Sequence, residues 1–157
     1  MTEEKSPLLP EAERIHQEWL KDCAIDDSAL DKAAINVPML HSKWLRILDL
    51  TKQKRREHEL AFFELKKKRV LWYEGMLSKE EIDELEWAYD PFDGKLVKTK
   101  TQKEQYIKTD TLIKEAEAEM EQWNNAEETA KEILDSIRWR TQTIRAAIDA
   151  KRLEVGF

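Results

Sequence analysis

The chain has 157 residues, enough for one domain with a modest core. Charged residues make up 38% of it, against about 25% in a typical soluble domain, and only three glycines and four prolines interrupt a composition rich in helix formers, so long helices are the expected framework. The lone Cys23 excludes an internal disulfide, and no apolar run reaches the roughly 18 to 20 residues that span a bilayer, so a soluble intracellular protein with no membrane role is expected.

The opening Met1-Thr2-Glu3-Glu4-Lys5 is acidic and lacks an apolar core, so no secretory signal is expected. The first helix follows Ser6-Pro7, with Pro10 in its first turn, where a missing N–H costs nothing. Ile15, Trp19, Leu20 and Cys23 share its apolar face. Asp26-Asp27-Ser28 reads as a turn that caps a short helix through Ile35. Asn36-Val37-Pro38 punctuates, and a long helix is predicted over 38–74, with Pro38 at its start and Gly75 as the residue that ends it. Its apolar positions form two clusters, Leu40, Trp44, Ile47 and Leu48, then Ala61, Phe62, Leu65 and Trp72. Between them Thr51 to His58 carries no apolar side chain, so this middle should run along a surface or line a groove.

Ser78-Lys79-Glu80-Glu81 has capping-box spacing and starts a short helix carrying Ile82, Leu85 and Trp87 or Tyr89. Asp90-Pro91-Phe92-Asp93-Gly94 is a turn. Leu96 to Thr101 has the composition of a short strand, while Thr101-Gln102-Lys103-Glu104 has capping-box spacing. A second long helix is predicted over 111–153. Ala116, Met120, Trp123, Glu127, Ala130, Leu134, Ile137, Thr141, Ile144, Ile148 and Lys151 follow a 4-3-4-3 spacing, the seam of a coiled coil or long bundle. A two-helix hairpin would leave one side of such seams uncovered. Self-association is therefore expected, through Met120, Trp123, Ala130, Leu134, Ile137, Ile144 and Ile148. The alternative is a monomeric bundle. The fold class is all-α, a single helical domain over 1–157 of two long helices plus short ones, assembling as a multi-chain ring or bundle.

No catalytic constellation emerges. His16, His41 and His58 are isolated, there is no phosphate-cradling glycine loop, and no spacing suits a metal, so neither enzyme activity, metal nor cofactor is expected. Glu115, Glu117, Glu119 and Glu121 read as a solvated helix face.

Net charge is −6, which argues against nucleic acid, but its distribution does not. Residues 42–69 hold ten basic and four acidic residues inside an otherwise acidic chain. Lys52, Lys54, Arg55 and Arg56 form one basic group. Lys66, Lys67, Lys68 and Arg69 form another, just before Trp72 and Tyr73. Cations of this kind neutralise phosphates, and an aromatic pair beside them would stack unpaired bases. Equally, the cations could be solvated and the aromatics core, since four adjacent helical residues cannot all face one ligand.

Three stretches, in order, resemble the UvsY family of recombination mediators from T-even-type bacteriophages. Asn36-Val37-Pro38-Met39-Leu40-His41-Ser42-Lys43-Trp44-Leu45 is similar to the family's N-V-M-L-Y-S-K-W-L, with Pro38 extra. Leu65-Lys66-Lys67-Lys68-Arg69-Val70-Leu71-Trp72-Tyr73-Glu74-Gly75 is similar to L-K-A-R-L-D-Y-Y-S-G. Lys67 and Arg69 fall on its basic positions and Trp72, Tyr73 and Gly75 on its aromatic pair and glycine. Lys108-Thr109-Asp110-Thr111 resembles K-V-D-T, and the closing Arg152-Leu153-Glu154-Val155-Gly156 resembles F-E-A-G. Leu71 stands where the family has an acidic residue, and Lys68 where it has a small one. The resemblance implies a ring-like homo-oligomer, a hexamer or heptamer, held partly by the C-terminal helix. It implies binding to single-stranded DNA coated by a single-stranded-DNA-binding protein. It also implies loading of a RecA-like recombinase in the cytoplasm of the infected bacterial host. The alternatives are a structural or scaffold coiled-coil protein with no nucleic-acid role and, more remotely, a di-metal helical enzyme.

Overall fold

The computed structural model describes residues 10–156. The acidic opening and the Ser6-Pro7 step lie outside them. Five helices follow in chain order: α1 (Glu11–Asp22), α2 (Leu30–Tyr73), α3 (Lys79–Leu85), α4 (Lys100–Lys108) and α5 (Thr111–Glu154). Among the described residues there is no strand. At 44 residues each, α2 and α5 run about 66 Å. The chain forms two compact units, Met1–Arg55 with Gln122–Phe157, and Arg56–Glu121. Both long helices contribute to both.

Two expectations are corrected. Pro38 lies inside α2 and does not start it. A proline there removes the bond to the Ala34 carbonyl and costs about 3 kcal/mol. Burial of Leu30 and packing of Val37 and Leu40 on the core hold the helix continuous through it. Residues 96–101 form no strand. The capping box is Thr99 with Gln102, each bonding the other's backbone N–H, so α4 begins two residues earlier than Thr101 would set it.

Other local signals act as their chemistry dictates. Pro10 is the N-cap residue of α1. The Asp26 carboxylate accepts from the Ser28 N–H and hydroxyl and makes the turn before α2. Gly75, at φ +69°, follows α2, with the Met76 N–H bonded to the Leu71 carbonyl. Ser78 caps α3 by accepting from the Glu81 N–H.

In the first unit Trp44, Leu48, Ala130, Ile133, Leu134 and Ile137 form the core, with Ile15 and Trp19 of α1 packed against it. The Trp19 ring meets Trp44 edge-on at 5.6 Å, and the Trp44 indole N–H donates to Asp22 at 3.1 Å. Ala130, Leu134, Ile137 and Ile144, predicted to carry self-association, are thus buried within the chain. Met120, Trp123 and Ile148 are half-buried. Heptad spacing reports that a face is covered, not by what, and here α2 and α1 supply the wall. Glu127, a polar residue in that seam, is buried and paired with Arg55 and with Lys131. The second unit is built on Trp72, Tyr73 and Ile82, with Leu77, Trp87, Phe92, Tyr106 and Ile107 around them.

Candidate nucleic-acid interface

The basic residues of α2 divide between the two units. In the first, Lys52 and Arg55 are half-buried and Lys54 is exposed. Arg55 is engaged with Glu127. The expected bare middle of α2 is therefore partly packed, with Thr51 buried and its hydroxyl donating to the Ile47 carbonyl at 2.6 Å.

In the second unit Arg56, Lys66, Lys67 and Lys68 are exposed. The Lys66 ammonium lies 5.7 Å from the Phe62 ring centre. Lys67 and Lys68 share the α2 face of Glu64 and Leu71, because residues three, four and seven apart align. These four, with Leu77, Glu81, Glu84 and Leu85, line a groove of about 530 Å³ between α2 and α3. The lysine heads there share their surroundings with three carboxylates.

Arg69 is different. One phase step round the helix turns it inward, where its Nε–H donates to Asp110 at 2.9 Å and a second guanidinium N–H reaches the same oxygen. The Tyr73 hydroxyl donates to that oxygen at 2.6 Å. The other Asp110 oxygen accepts from the Ile113 N–H at 3.0 Å, so this carboxylate also caps α5. Burial pushes the Asp110 carboxyl up, but the bonds from Arg69, Tyr73 and Ile113 outweigh it and hold its pKa below the usual carboxylate value. Burial pushes the Tyr73 hydroxyl up to about 12, assisted by Asp110. The guanidinium lies 4.2 Å from the Trp72 ring centre and 4.7 Å from that of Trp87. The Trp72 indole N–H donates to the Ala88 carbonyl at 2.8 Å.

Arg69, Trp72 and Tyr73 are each at most 9% exposed. The expected phosphate contact by Arg69 and base stacking by Trp72 and Tyr73 are corrected accordingly: all three belong to the core. Asp110, which gathers Arg69 and Tyr73, stands in the third resembling stretch, but sequence reading gave it no role at the site. The available signal was an aspartate at the N-terminal boundary of a long helix. Of the further basic residues on α5, Arg138 pairs with Asp135, and Arg140 donates to the Cys23 and Ala24 carbonyls. Among the described residues no group of three or more His, Cys, Asp and Glu side chains is placed to hold a metal. No described helix is long and apolar enough to cross a membrane.

Residues 18–157 match the family described as "Recombination, repair and ssDNA binding protein UvsY". The chain belongs to the UvsY family. No protein of curated function matches it by sequence. Among solved structures it is similar to the crystal structure of the bacteriophage T4 recombination mediator protein UvsY, with a TM-score of 0.73 and 22% identity. That match covers 90% of this chain and 98% of the other. At this identity the likeness bears on the fold. Within the UvsY-type motif of α2, alternate positions point opposite ways in this chain. Lys67 faces solvent, Arg69 faces Asp110, and the aromatic pair fills the core beneath them.

Proposed function

We propose that this chain is a recombination mediator. It binds single-stranded DNA coated by a single-stranded-DNA-binding protein and helps load a RecA-like recombinase, in the cytoplasm of an infected bacterial host. The observation that carries the reading is the family match across residues 18–157. The exposed cations of α2 support it, because phosphate recognition needs charge at the surface. No catalytic step is part of this function. In a strand-exchange reaction held back by excess single-stranded-DNA-binding protein, added chain should restore recombinase activity. A gel shift with single-stranded DNA separates this reading from a scaffold coiled coil: no binding at micromolar concentration would leave the scaffold.

The same reading includes a homo-oligomer, hexamer or heptamer, that repeats the cations so weak contacts sum through effective concentration. With Ala130, Leu134, Ile137 and Ile144 of the expected seam buried, the outward face of α5 offers surface for a second copy: Trp139 is 62% and Leu153 76% exposed.

A further inference from the structure

We propose that Arg56, Leu60, Phe63 and Lys67 form a base-stacking platform on which Phe63 takes an unpaired base of a single strand while Arg56 and Lys67 hold the flanking phosphates. The proposal rests on the single-stranded-DNA reading and names the aromatic group that this reading otherwise lacks, since Trp72 and Tyr73 are buried.

The 4-3-4 spacing puts the four side chains on one narrow stripe of α2. Arg56 and Lys67 are about 16 Å apart along the axis. Leu60 is 61% and Phe63 55% exposed, so two large apolar groups lie together at the surface with a cation at each end. Among the described residues neither Arg56 nor Lys67 has an ion-pair partner. Phe62, one position round, is buried, and its ring centre lies 5.3 Å from that of Phe63 at a 52° tilt. Phe63 is thus braced from below and open above. Glu59 and Glu64 border the stripe on either side but no acid lies within it.

This chemistry selects the ligand. A phenyl ring stacks on any base, because every base has a π-face, and stacking needs no particular sequence. In a duplex those faces are already covered by neighbouring bases. The cations fix the backbone and carry no sequence information. A platform of this composition therefore favours a single strand of any sequence over a duplex.

The test uses full-length protein with an oligothymidylate, an abasic strand of equal length and a duplex. Phe63→Ala should weaken oligothymidylate binding by roughly ten-fold or more, and Phe63→Tyr should restore most of it. The salt dependence of Phe63→Ala should match that of the unaltered protein, because stacking releases no counterions. Lys67→Ala should instead flatten it by about 0.7 log unit. On the abasic strand Phe63→Ala and the unaltered protein should bind alike. Unchanged oligothymidylate affinity in Phe63→Ala would overturn the platform and leave the function standing. Equal losses on the abasic strand would also overturn it. Native mass spectrometry showing lost assembly would then make the stripe a contact between copies. Failure of the unaltered protein to bind any single strand would remove both the platform and the proposed function.

Discussion

Arg69 and Asp110, 41 residues apart in sequence, form a two-point ion pair in which the Asp110 side chain is fully buried. The pair joins the end of α2 to the first turn of α5, and Tyr73 completes it. Removing one partner of a buried pair leaves an uncompensated charge, a loss of about 3–5 kcal/mol. Arg69→Ala should therefore lower the urea midpoint sharply, whereas Lys67→Ala, at an exposed position, should change stability by less than about 0.5 kcal/mol. An Arg69→Ala protein with an unchanged midpoint and weakened DNA binding would put the guanidinium on DNA after all.

The same pair sets an acid limit. The folded-state pKa of Asp110 lies below its ordinary 3.8, so the stability it contributes is fully present above that value and is lost as pH falls through the folded value. Glu127 is held below its ordinary 4.5 in the same way: burial raises it, and the bonds from Lys131 and Arg55 more than offset that. Urea midpoints measured from neutral pH downward should hold until about pH 5 and then decline. Asp110→Asn should be less stable at neutral pH but decline less on acidification. A parallel decline in the two proteins would mean that Asp110 carries none of the acid sensitivity.

Much of this architecture was legible from residue patterns. Scarce glycine and proline gave two long helices, and the spacing around Trp44 and from Ala130 to Ile144 identified side chains that the structure buries. Three features were not legible, each for a physical reason. Pro38 looks like a boundary because local propensity opposes helix there, and tertiary packing overrides it. The heptad seam marks a covered face without naming its cover. In the run Lys66 to Arg69, only helix phase separates exposed lysines from an inward arginine, and the partner that accommodates that arginine, Asp110, lies far along the chain. Phe63 escaped notice because Phe62 beside it satisfies the apolar pattern.

The buried seam changes what a substitution there should do. Leu134 and Ile137 are 3% and 1% exposed, so Leu134→Ala or Ile137→Ala should cost about 2–5 kcal/mol, and a charge at either should unfold the first unit. Assembly would be lost only as a consequence. Trp139→Glu acts on the outward face of α5 and should keep the far-ultraviolet dichroism and thermal midpoint while shifting native mass spectra toward monomer. Retention of the full assembly by Trp139→Glu would place the subunit contact elsewhere.

The exposed lysines give the most direct test of how DNA is held. Lys66, Lys67 and Lys68 are exposed, with Lys66 resting over the Phe62 ring, so replacing them should leave the fold intact and isolate their electrostatic role. Lys67 and Lys68 line the α2–α3 groove with Glu64, Glu81 and Glu84, which weakens the field that a phosphate meets there. Lys66 lies outside that groove. Each lysine that neutralises a phosphate should therefore show as a loss of about 0.7 in the slope of log affinity against log salt, whatever the base sequence. Lys66→Ala with Lys67→Ala should flatten the slope by about twice that amount. Glu81→Gln with Glu84→Gln should strengthen binding at low salt, because it removes repulsion beside Lys67 and Lys68. Constant slopes across all of these variants would exclude this end of α2 as the DNA track and direct attention to Lys52 and Lys54 in the first unit.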